Sequence, residues 1–118
     1  MSKRVLIVDD EKNMRWVLGQ ALSAEGFDVS EAVDGTTGLA AVRSLHPDFV
    51  LLDIGLPDID GLEVARVLSI DGPPPWVVLT SSREAGSYGP RLSGVRTLGF
   101  IPKEEVSGPA IRVLVERT

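Results

Sequence analysis

The chain has 118 residues, 43% of them hydrophobic and 25% charged, which suits one packed domain and excludes a disordered chain. A formal net charge of −5 with no Lys/Arg run argues against a nucleic-acid surface. The absence of cysteine rules out disulfides, thiolate chemistry and Cys-based zinc sites, and no apolar stretch is long enough for a signal peptide or a membrane span, so a cytoplasmic location is expected.

The first apolar run, VLIV (5–8), is continuous and stops at Asp9 and Asp10, with Glu11 next. It reads as a buried strand. Adjacent carboxylates at a strand tip raise each other's pKa or recruit a cation. Met14, Val17, Leu18, Ala21 and Leu22 then fall on one face of a helix that Gly26 ends. Trp16 lies off that stripe and is expected to be partly exposed. DVSEAV (28–33) alternates, as an outer strand does. Leu39, Val42 and Leu45 mark a second helix, opened by the turn Asp34-Gly35-Thr36 and closed before Pro47. His46 reads as an exposed turn residue.

FVLL (49–52) is a second continuous run and ends at Asp53. The loop after it contains Asp58 and Asp60, read as loop and helix start before Gly61. Leu62, Val64, Ala65 and Leu68 give a third helix, stopped by DGPPP at 71–75. WVVL (76–79) leads into Thr80 and Ser81, with Trp76 expected to pack. Gly86, Gly89, Pro90 and Gly94 leave only a short or irregular fourth helix between Ser82 and Gly99. TLGFI (97–101) is a weaker fifth strand, followed by Pro102 and Lys103. In the last helix Ser107 is the N-cap, Pro109 sits in the first turn, and Ile111, Leu114 and Val115 form the buried stripe.

Continuous runs suit strands covered on both faces, and strictly alternating strands and helices imply an α/β fold with a parallel sheet. Right-handed crossovers leave few topologies. The expected architecture is a flavodoxin-like three-layer sandwich: one domain over 1–118, a five-stranded parallel sheet in the order 2-1-3-4-5, and about five helices. Ligands in such sheets bind at the carboxyl ends of the strands. Those ends carry Asp9, Asp10, Asp53, Thr80 and Lys103. Three carboxylates form an oxygen-rich site of the kind magnesium prefers. A lysine and a hydroxyl beside them could grip phosphoryl oxygens. These are the parts of a phosphoryl-transfer site with a carboxylate nucleophile.

On these residues the sequence resembles the receiver domains of two-component response regulators, from Arg4 to the last helix. The resemblance rests on Asp9 and Asp10 after VLIV, Asp53 in LLDIGLPDIDGLE with Pro57 and Gly61, Thr80 in VVLTSS, and Lys103 in GFIPKEE. It implies that Asp53 accepts a phosphoryl group from a sensor histidine kinase or phosphotransfer protein. It further implies that Asp10, Asp53 and the Gly55 carbonyl ligate Mg2+, with Asp9 acting through water, and that Lys103 pairs with Asp53 or its phosphate. Thr80 and Phe100 are the implied switch pair, biasing a face built from the fourth helix, the fifth strand and the fifth helix. Such a domain is a signalling switch that catalyses only its own phosphoryl uptake and hydrolysis. Downstream protein or an output domain on a longer chain would read it, with dimerisation on phosphorylation carried over as an expectation, and neither nucleic acid nor membrane would be touched directly. The chain ends just after the last helix, which fits either a stand-alone receiver or a piece of a longer regulator.

Three departures from the family pattern stand out. Pro102 precedes Lys103, where a proline usually follows. Phe100 lacks a hydroxyl. Gly55 opens access beside Asp53. Other functions fit less well. A haloacid-dehalogenase-type hydrolase needs a second acid where Gly55 stands. A dinucleotide-binding fold needs a glycine-rich loop where DDEKN stands. A pseudo-receiver, acting only as an interaction module, would have lost a pocket residue, and all are present.

Overall fold

In the computed structural model, which describes residues 3–70, 75–81 and 97–116, strands and helices alternate. The elements are β1 (Arg4–Val8), α1 (Lys12–Ala24), β2 (Asp28–Ala32), α2 (Gly35–Leu45), β3 (Phe49–Asp53), α3 (Gly61–Ile70), β4 (Trp76–Ser81), β5 (Thr97–Pro102) and α4 (Gly108–Val115), with a 3-10 turn over Lys103–Glu105. All strand pairings are parallel, in the order β2-β1-β3-β4-β5. This is the expected topology. The switch point falls between β1 and β3, where the carboxyl ends open a crevice.

The continuous apolar runs are continuous because both faces are covered. Leu6, Val8, Val50, Leu52, Val77 and Leu79 pack with Val64, Ala65 and Leu68 of α3 and with Leu39 and Val42 of α2. Val5, Ile7, Phe49, Leu51 and Val78 pack on the opposite side with Leu18 and Leu22 of α1 and Ile111 and Val115 of α4. Strand periodicity of two assigns alternate residues of one run to two different cores. Trp76 is half-buried in the second of these, as expected, and Trp16 is exposed.

One expected core residue is not there. Val17 is 52% exposed. At about 100° per residue, Val17 lies about 100° round the helix from Leu18, whereas Met14, Arg15, Ala21 and Leu22 lie within about 60° of it. Helix α1 buries only that narrower arc against the sheet and α4.

Helix ends follow local chemistry. Asp34 caps α2, accepting the Thr37 N–H at 2.8 Å, and the Thr37 hydroxyl answers the Asp34 backbone. His46 closes α2 in the left-handed region at φ 49° just before Pro47. Ser107 accepts the Ala110 N–H at 3.1 Å and Pro109 fills the first turn of α4, as its sequence predicts. Gly108 lets α4 approach α1 closely: a Cβ there would lie 2.8 Å from the Ala21 carbonyl oxygen. The described residues contain four α-helices. The short fourth helix expected after Ser82, and the DGPPP stop up to Pro74, lie outside the described residues, so the helix expected as the chain's fifth is α4 here.

Candidate functional site

The site begins where the apolar ladder runs out. Asp9 follows β1 and still extends its pairing, its N–H donating to the Ala32 carbonyl at 3.2 Å. The side chain is 1% exposed as a residue, and its Oδ1 accepts the Glu11 N–H at 2.9 Å. Arg15, one turn into α1, donates to the Asp9 carbonyl at 2.8 Å and pairs with Glu31 of β2 at 3.3 Å. Asp10 is exposed at the mouth. Asp53, the last residue of β3, is 4% exposed, and its Oδ1 accepts the Gly55 N–H at 3.0 Å.

Lys103 reaches these acids from the end of β5. Its ammonium is 3.0 Å from Asp53 Oδ2, 3.2 Å from Asp9 Oδ2 and 3.9 Å from Glu11. The side chain is 13% exposed, so the ion pairs are shielded from bulk water. Burial alone would push Lys103 down, but Asp53 and then Asp9 outweigh it and hold the ammonium above its ordinary range. Burial pushes Asp9 up, and nearby Asp53 adds to it; the Glu11 N–H and Lys103 oppose this only in part. One lysine therefore does not neutralise the cluster.

Thr80 stands beside Asp53 by sheet register, the two being paired across β3 and β4. It is buried, and among the described residues its hydroxyl makes only a long 3.5 Å contact with the Leu52 carbonyl. That hydroxyl is weakly held. Phe100 is half-buried against the core on the α2/α3 side.

Donor atoms of Asp9, Asp10 and Asp53 lie within 4.8 Å of one another. Asp9 Oδ2 is buried and lacks a hydrogen bond, although Lys103 is near; the ammonium is aligned with Oδ1 instead, at 3.4 Å. A buried carboxylate oxygen without a donor is costly unless a positive partner can occupy the space. The residues thus fit a hard, oxygen-seeking cation such as Mg2+.

The loop from β3 to α3 is fixed at both ends. Gly61 donates to the Ile54 carbonyl at 2.9 Å, and Ile54 donates to Thr80 at 2.9 Å. A Cβ on Gly61 would lie 2.3 Å from the Asp53 carbonyl oxygen and 2.5 Å from Ile54 Cα. Only glycine lets α3 begin that close to Asp53. Between these anchors, Asp58 is more than a loop residue. Its carboxylate accepts the Gly35 N–H at 2.8 Å, the Thr36 N–H at 3.0 Å and the Thr36 hydroxyl at 2.6 Å. In the sequence its partners are 22 and 23 residues away, and only the Asp34-Gly35 turn signal hints at them.

The chain resembles known proteins over most of its length. A model of the response regulator receiver domain matches residues 5–114. The DNA-binding response regulator MtrA of Mycolicibacterium paratuberculosis is 45% identical over 84 residues, 71% of this chain and 37% of that protein. A putative transcriptional regulator of Pseudomonas aeruginosa is 41% identical over 107 residues, 89% of this chain and 51% of that protein. The chain thus spans about a third to a half of these relatives. Among solved structures, a CheY-like response regulator receiver domain from Methanospirillum hungatei superposes with a TM-score of 0.88 over 99% of this chain and 93% of its own, at 23% identity, a likeness of fold. The sheet order, the acids gathered at its switch point and the family match over nearly the whole chain agree: the protein belongs to the response regulator receiver domains of two-component systems.

Proposed function

We propose that the domain is a phosphorylation switch with Asp53 as the acceptor. An Asp53 carboxylate oxygen attacks the phosphorus of a phosphohistidine on a partner histidine kinase or phosphotransfer protein. The new O–P bond forms as the P–N bond breaks, and the departing imidazole nitrogen keeps the electron pair and takes a proton from solvent. The reading is carried by one observation: Lys103 Nζ sits 3.0 Å from Asp53 at the mouth of a three-carboxylate cluster.

Each residue has a task in this reading. Lys103 grips a phosphoryl oxygen and offsets its charge. Asp10, Asp53 and the Gly55 carbonyl would hold Mg2+, with Asp9 acting through water. The cation supplies charge neutralisation for the transferring oxygens. The loosely held Thr80 hydroxyl turns to a phosphoryl oxygen once one is present, and Phe100 follows into the space behind it. A cleft of about 410 Å³ lies between β5 and α4, lined by Phe100, Pro102, Val113 and Leu114, so movement of Phe100 reshapes a surface. That surface is what a downstream protein or output domain reads, with dimerisation as one form of reading. The only reactions the domain promotes are its own phosphoryl uptake and hydrolysis. Its place would be the cytoplasm, where the kinase presents its phosphohistidine; among the described residues no helix is long and apolar enough to cross a membrane.

The test is intact mass after incubation with acetyl phosphate, with and without Mg2+, for the wild type and Asp53→Asn. A magnesium-dependent phosphate adduct on the wild type alone is expected. Failure to form an adduct and to bind beryllofluoride would overturn the reading and leave a phosphorylation-independent interaction module.

A further inference from the structure

The first turn of α2 is held by two aspartates from different parts of the chain. The leading N–H groups of a helix have no partner within it. Here the Thr37 N–H goes to Asp34, at the helix's own start, while the Gly35 and Thr36 N–H groups both go to Asp58. Intrahelical bonding begins with Gly38 donating to the Asp34 carbonyl. Asp58 thus replaces water at this helix end, and the positive end of the helix dipole favours its charge.

Asp58 ties the β3–α3 loop to α2 through both backbone and side-chain donors. Its neighbours confirm the close fit: a Cβ on Gly35 would lie 3.0 Å from Ile59 Cβ and 3.3 Å from Asp58 Oδ1. Asp58 also accepts the Ile59 N–H at 2.9 Å, which fixes the local loop shape. The loop leaves Asp53 at Ile54 and returns to it at Gly61. Gly55 lies on the outgoing arm, its N–H on Asp53. Leu56 and Ile59 pack the loop against the core, and Asp58 supplies its hydrogen bonds to α2; cutting the Asp58 tie frees the polar side of the segment from Gly55 to Asp60.

We propose that Asp58 is a positioning residue for the divalent cation, holding the β3–α3 loop against α2 so that the Gly55 backbone stays placed beside Asp53. The inference rests on the Mg2+ reading of the acidic cluster. Asp58 is not among the carboxylates that would hold the cation. Its effect follows from the metal's demands. Mg2+ requires near-ideal octahedral geometry, whereas Ca2+ accepts variable geometry and ligand number. A displaced loop backbone should therefore harm Mg2+ binding more than Ca2+ binding.

The test is calorimetric titration of the whole chain with Mg2+ and separately with Ca2+, well below the melting temperature of each variant. Asp58→Ala should weaken Mg2+ by about tenfold, the lower range for groups that orient a metal's ligands, and weaken Ca2+ by less than about threefold. Thr36→Val removes only the hydroxyl donor and should give a smaller shift in the same direction, which keeps the test open if Asp58→Ala does not fold. Equal losses for both cations, or unchanged affinity in both variants, would overturn the positioning role while leaving the cation site intact. No Mg2+ binding by the wild type would remove the cation reading and this inference together.

Discussion

Lys103 Nζ and Asp53 Oδ2 meet at 3.0 Å although their strands, β5 and β3, are separated by β4. The lysine spans β4 from just beyond its strand and reaches Asp9 of the β1 end as well. It is a brace between the two sides of the crevice. Removing one partner of a buried ion pair leaves the other charge uncompensated, at about 3–5 kcal/mol for full burial. With Lys103 slightly exposed and the mouth open, Lys103→Met should cost about 2–3 kcal/mol at neutral pH. The same variant should bind Mg2+ more tightly than the wild type, because a competing positive charge is gone. Urea denaturation with and without Mg2+ checks both; unchanged stability without the cation would show that the brace contributes nothing.

Thr80→Val should separate folding from switching. Among the described residues the hydroxyl's single hydrogen bond is 3.5 Å long, so its loss should change stability by no more than about 1 kcal/mol. Phosphoryl uptake at Asp53 should persist, while the accompanying change in Phe100 should be lost. Side-chain NMR of Phe100, with and without beryllofluoride, reads the difference. A full Phe100 response in the variant would take Thr80 out of the switch.

Gly61→Ala should be among the costly single-methyl changes in this chain. The added carbon meets backbone atoms of Asp53 and Ile54, which cannot rotate away as a side chain can. A loss of about 3 kcal/mol is expected, the upper range for overpacking. Chemical denaturation measures it, and a variant as stable as the wild type would mean that the start of α3 shifts freely.

Asp58 gives a pH signature. The Thr36 hydroxyl, followed by the Thr36 N–H, holds its carboxyl well below the ordinary value of 3.8. A depressed carboxyl stabilises the fold above its unfolded pKa, and that contribution is lost as pH falls through the folded one. The stability gap between the wild type and Asp58→Ala should therefore be full at neutral pH and begin to narrow only below about pH 4. Denaturation midpoints of both proteins from pH 7 to pH 3 test this. A gap that stays constant would assign the effect to packing.

What the sequence makes legible depends on how far apart the cooperating groups lie. The strands announce themselves through local apolar runs, and the topology then brings their ends together. For this reason the convergence of Asp9, Asp10, Asp53, Thr80 and Lys103 on one rim is legible in the sequence. The role of Asp58 is not, because its meaning lies in the N–H groups of another helix's first turn. Nothing in DID before Gly61 distinguishes a cross-linking carboxylate from a solvated one. Val17 shows the opposite limit: helical spacing places it near the stripe, but the width of the buried arc is set by the surface the helix rests on. The family resemblance implies that Lys103 pairs with Asp53; its simultaneous approach to Asp9 appears only once β1 and β3 lie side by side.

The pairing of Asp53 with Thr80 across β3 and β4 limits which length changes the domain can absorb over evolutionary time. Side chains alternate faces along a strand, so one residue inserted between Phe49 and Asp53 would turn the Asp53 carboxylate toward the other core and present an apolar neighbour in its place. The same insertion in the turn holding His46 and Pro47, at the opposite rim of the sheet, would leave every strand end where it is. Insertions and deletions should therefore accumulate at the amino ends of the strands, while β1, β3 and β4 keep fixed lengths to the residue.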